Sequence, residues 1–103
     1  MPTRLDQESP DSVADLFRVL AEPVRLKLVR ALTTQCKAVS ALVAETGLAQ
    51  PLVSHHLRVL RDAGIARGDR QGSFIFYCLT DEAVWKMVQQ AADLASRLGL
   101  DRS

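Results

Sequence analysis

Apolar side chains recur at helical spacing through the first two thirds of the chain, and each run carries its own start or stop signal. Ser9 and Pro10 place a capping hydroxyl before a proline at a first helical position, and Val13, Leu16, Phe17 and Leu20 follow at helical intervals. This predicts a helix over 10–21. Pro23 ends it and opens a second, in which Val24, Leu28, Val29 and Leu32 form a stripe against Arg25, Lys27 and Arg30. After the polar stretch Thr33 to Lys37, the run AVSALVAETG has Val39, Leu42 and Val43 on one side and closes at Gly47. A fourth helical run, QPLVSHHLRVLRDAG, begins near Pro51 and ends at Gly64.

The third and fourth runs are separated only by a Gly-Leu-Ala connection, the spacing of a helix-turn-helix over 38–63, whose second helix lies in the DNA major groove. Beyond Gly64 the period changes. Ile65 to Asp69, a turn at Arg70, Gln71 and Gly72, and the β-rich run SFIFYCL read as a hairpin, or wing, over 65–79. Thr80 is placed to cap a final helix over 80–98 with Asp81 and Glu82 in its first turn, and Val84, Met87, Val88, Ala91, Ala95 and Leu98 carry the stripe onward. The expected fold is mainly α with a small β-hairpin (α+β): a single winged helix-turn-helix domain over 1–103, four helices, two strands and a last helix, with 1–9 flexible.

At about 100° per residue the fourth helix divides in two. Val53, His56, Leu57 and Leu60 share one sector; Pro51, Ser54, His55 and Arg58 lie opposite, flanked by Gln50 and Arg61. The outward types suit base edges and phosphates: glutamine pairs with adenine, arginine with guanine or phosphate. Any amphipathic surface helix offers similar residues, so position carries the argument: a short helix and tight turn precede this one and a hairpin follows. His55 and His56 point about 100° apart and lack the i, i+4 spacing of a metal pair. His55 is a candidate DNA contact, and His56 reads as a satisfied structural histidine. The wing offers Arg67, Arg70 and Gln71 to a phosphate or a narrow minor groove.

The net charge of +1 says little, but its distribution says more. Residues 1–22 carry −3, residues 23–79 carry +5 and residues 80–103 carry −1. A basic middle between acidic ends is the footprint expected of a nucleic-acid reader. No apolar run reaches the roughly 18 residues of a membrane span, and the polar, acidic N-terminus is unlike a signal peptide, so a cytoplasmic protein is expected. No carboxylate pair, phosphate loop or Ser/His/Asp set stands at a usable spacing, which argues against an enzyme.

The run LAEPVRLKLVRAL, then GLAQPLVSHHLRVLRDAGI, then the RQGSFIFYCL hairpin closely resembles the ArsR family of bacterial repressors, from about Val13 to Leu98. The resemblance implies a homodimer built on the first and last helices, a palindromic double-stranded operator, and release by an inducer. Carried over by position, the DNA-facing residues are Gln50, Pro51, Ser54, His55 and Arg58, with Arg70 in the wing. Ala49 stands where a capping serine is usual. The family's metal-sensor positions are not matched: Ala38 and Ser40 replace a Cys-x-Cys pair, and the last helix has Asp81, Glu82 and Asp93 but no histidine. No metal site and no resident cofactor are expected.

Cys36 and Cys78 lack CxxC spacing and read as thiols. Each can be a small buried hydrophobe. In winged helices, however, the segment entering the third helix runs beside the end of the second wing strand. The two then form a thiol sensor for a thiophilic ion or for oxidation, with Lys37 favouring the Cys36 thiolate. The competing function is a winged-helix interaction module, or a non-specific nucleic-acid binder, with no ligand sensing.

Overall fold

The structure is a computed structural model that describes residues 10–100. It runs α1 (Pro10–Leu20), α2 (Pro23–Ala31), β1 (Lys37–Ala38), α3 (Val39–Thr46), α4 (Gln50–Asp62), β2 (Ala66–Gln71), β3 (Phe74–Leu79) and α5 (Ala83–Arg97). The expectations for Ser9 and for 1–9 lie outside the described residues. Pro23 sits in the first turn of α2, and the Glu22 side chain caps that helix by accepting the Arg25 N–H at 3.0 Å. Every helical stripe read from the sequence therefore forms a helix.

Three local readings are corrected. A two-residue strand, β1, precedes α3 and pairs antiparallel with β3, Lys37 opposite Tyr77 and Ala38 opposite Phe76, so the sheet has three strands in the order β1-β3-β2. The hairpin turn lies at Gly72–Ser73 rather than Arg70–Gly72, because Gln71 pairs with Phe74 and keeps Arg70 and Gln71 in β2. Gly72 supplies the positive φ of 64° that a two-residue hairpin needs at its first central position. Thr80 does not cap α5; its hydroxyl donates to the Gly64 and Ile65 carbonyls at 2.7 and 3.1 Å, while Asp81 accepts the Ala83 N–H at 2.9 Å.

Leu28, Leu42, Val53, Leu57 and Leu60 are fully buried and hold α2, α3 and α4 together, with Leu20 joining from α1, Ile65 from the turn after α4 and Tyr77 from β3. Each buried leucine contributes about 1.5–3 kcal/mol through removal of apolar surface from water. The chain leaves α4 through a Schellman turn: the Gly64 N–H donates to Arg61 O at 3.0 Å and the Ile65 N–H to Leu60 O at 2.9 Å, with Gly64 at φ 78°. Buried Leu60 and Ile65 supply the apolar contact of that motif. The exit is thus fixed, and with it the direction in which the wing departs from α4.

α5 is different. None of its residues is buried, although Val84, Trp85, Met87 and Val88 pack partly against the core. Trp85 is half-buried against the core of its own chain. Among the described residues, no helix is long and apolar enough to cross a membrane.

Candidate nucleic-acid interface

α4 presents the two faces expected of it. Val53, Leu57 and Leu60 are fully buried, whereas Gln50, Pro51, His55 and Arg58 are exposed and Ser54 is partly so. The Gln50 amide donates to the Ser54 hydroxyl at 2.7 Å, which orders two of the outward groups one turn apart. Ala49 occupies the N-cap position and offers no side-chain hydrogen bond. Ala49→Ser should therefore stabilise the fold by about 1 kcal/mol, raising the thermal midpoint by about 4–8 °C, as calorimetry would show.

His56 is half-buried with its Nδ1 shielded from solvent, and that atom has no hydrogen-bond partner among the described residues and lies 3.8 Å from Glu22 Oε2. The reading of a satisfied histidine is corrected accordingly. Glu22 thus touches both the start of α2 and the inner side of α4. A sequence reading missed it because the two residues are 34 positions apart.

The arginines sort by partner. Arg61 pairs with Asp62 at 3.2 Å and Arg67 with Asp69 at 3.2 Å. Arg58 and Arg70 have no side-chain partner among the described residues, so their guanidinium groups stay free for a phosphate or a base edge. In the hairpin, Arg70 shares a face with Ile75, and Arg67, Asp69 and Gln71 share the other with Cys78, Phe76 and Phe74. The wing residues named from the sequence therefore lie on two faces. Phe74 and Ile75, beside the tip, are exposed large apolar groups that drew no attention in the sequence.

The cysteines are bonded to each other: Cys36 and Cys78 form a disulfide across 42 positions, beside the β1–β3 pairing. Their reading as free thiols is corrected, and the expected proximity is what the fold supplies. Cys36 is exposed, Cys78 is only 5% exposed, and Asp69 Oδ2 lies 3.7 Å from Cys78 Sγ. Lys37, expected to act on Cys36, is engaged by Glu45 at 2.7 Å. Among the described residues, no group of three or more His, Cys, Asp or Glu side chains is placed to hold a metal ion.

Residues 22–67, from the α2 cap to the base of the wing, match the family described as bacterial regulatory protein, arsR family. A relative in Mycobacterium tuberculosis, the HTH-type transcriptional repressor SmtB, is 37% identical over 90 residues, covering 87% of this chain and 67% of its own length. The chain belongs to the ArsR family. The solved structure of the transcriptional repressor BigR from Xylella fastidiosa superposes with a TM-score of 0.79 at 36% identity, covering 90% of this chain and 96% of that one. The homodimeric winged helix-turn-helix DNA-binding domain Mb0332 from Mycobacterium bovis shares the fold, with a TM-score of 0.76 at 24% identity over 99% of this chain and 95% of its own. This ArsR-family chain is a DNA-binding transcriptional repressor rather than an enzyme.

Proposed function

We propose that two copies of this chain pair through α1 and α5 and read a palindromic operator, one α4 in each of two successive major grooves. The observation that carries this reading is the division of α4 into a fully buried face and an outward face holding Gln50, Pro51, Ser54, His55 and Arg58, which has no side-chain partner among the described residues. Gln50 and His55 read base edges; Arg58 and, at the end of the helix, Arg61 meet phosphate. In the wing, Arg70 and Gln71 reach the flanking backbone, and Arg67 fixes the base of the hairpin. The working compartment is the cytoplasm, where the DNA lies.

Arg58→Ala is expected to weaken binding about tenfold on every duplex, whereas Gln50→Ala and His55→Ala relax the preference between operator variants. Gel shifts on duplexes selected from a random pool give both readouts. Binding that stays unchanged in all three variants, or selection that enriches no palindrome, refutes operator reading and favours an interaction module.

The Cys36–Cys78 pair is the inducer site of this reading. A reducing compartment keeps most thiols reduced, so a disulfide between one exposed and one buried cysteine suits a reversible signal better than a permanent brace. Two sulfurs provide half the ligands of a tetrahedral zinc site, so oxidation fits the pair better than that metal does. The bond ties β3 of the wing to the segment that enters α3, and in the oxidised form the wing no longer follows the operator.

A further inference from the structure

We propose that the cleft between α2 and α5, centred on Trp85, is a binding site for a small aromatic monocarboxylate. Trp85, the chain's one tryptophan, lines three grooves, and Lys27 and Arg30 of α2 line two of them, of about 450 and 480 Å³. These volumes fall within the range of small-molecule sites. Neither Lys27 nor Arg30 has a side-chain partner among the described residues, in contrast to the neighbouring cations Lys37, paired with Glu45, and Lys86, paired with Glu82. Two unpaired cations one helical turn apart hold a carboxylate by charge-assisted hydrogen bonds.

The second groove supplies the rest of the ligand's surroundings. Leu26, Val88 and Ala92 join the half-buried indole as its apolar wall, against which an aromatic ring stacks. Asp93 lies along the same groove and Glu45 along the first, so a second negative charge on the ligand is repelled and a single carboxylate is selected. No residue of α4 lines either groove, which separates this cation pair from the DNA-reading face. The apolar wall is also shared: Leu26, Val88 and Ala92 line the neighbouring groove that carries Phe17 and Met87. A ligand here presses on the face through which two copies would pair.

The full chain, ¹⁵N-labelled and in solution, tests this with benzoate as probe, since one tryptophan gives one indole N–H resonance to follow. Benzoate is expected to shift that resonance saturably, with benzamide and acetate binding at least about tenfold more weakly. Lys27→Gln/Arg30→Gln should abolish the shift while leaving the circular dichroism unchanged, and Lys27→Arg should retain it. Equal binding of benzoate and benzamide, or an unaltered response in the double variant, overturns the site. So does a wild-type indole resonance that never responds to benzoate while the double variant loses operator affinity, because the cations then serve phosphate. Operator binding by the wild type is measured separately, so failure of the carboxylate site leaves the DNA-reading proposal standing.

Discussion

Ala91→Glu is expected to convert the protein to a folded monomer whose affinity for a two-half-site operator is lower by about a hundredfold or more, while its affinity for a single half-site stays near that of the wild type. Ala91 is exposed on α5 and lines a groove of about 390 Å³ with Phe17, Leu20, Ala21, Met87 and Ala95. Phe17 at 55% exposure, Leu94 at 47% and Leu98 at 64% extend this apolar surface along both helices. A contiguous patch of this kind, on a helix with no buried residue of its own, is a surface that lacks its cover. A twofold axis places the same patch against itself, so a glutamate there is buried on both sides of the interface at once. Glutamate is also a good helix former, so the monomer keeps its fold. Sedimentation of the variant beside gel shifts on full and half operators checks each part, and a variant that stays dimeric with full operator affinity removes α5 from the interface.

The helices were legible in the sequence because each carries local punctuation: Pro23 within reach of the Glu22 cap, Gly47 after Thr46, Gly64 after a two-faced run. The elements that were missed depend on non-local pairing. β1 is two residues long, too short for any alternation to show, and exists because β3 offers it an edge. The hairpin turn was displaced because polar Arg70 and Gln71 resemble turn residues, yet the register of Ala66 opposite Leu79 carries the strand past them. In the interface, the buried and outward faces of α4 followed from angle alone. Which arginines are already paired did not, since Arg67 finds its acid two residues along the same strand face at Asp69, a signal visible only once the strand is known.

Such long-range closure also decides the last expected result. Oxidation of the reduced protein by hydrogen peroxide is expected to form the Cys36–Cys78 bond and lower operator affinity by about 5- to 150-fold, the range of typical coupling free energies. Exposed Cys36 is the sulfur an oxidant meets first: its thiolate attacks one peroxide oxygen, giving a sulfenic acid and, after protonation, water. The Cys78 thiolate then displaces the hydroxyl from Cys36 Sγ, forming the disulfide and a second water, so two thiols and one peroxide yield one disulfide and two waters. The Cys78 thiol proton is accounted for in that second water, and Asp69 Oδ2, 3.7 Å from Cys78 Sγ, is held by Arg67 at 3.2 Å. The new bond holds β3 to the entrance of α3, and because the β2–β3 hairpin moves as a unit, Arg70 is held with it. Cys36→Ser and Cys78→Ser should each bind the operator like the reduced protein and ignore peroxide, while dithiothreitol should restore the wild type. Alkylation mass spectrometry reports the bond and a gel shift reports the affinity; a bond that forms without changing the affinity would show that the disulfide braces the sheet and signals nothing.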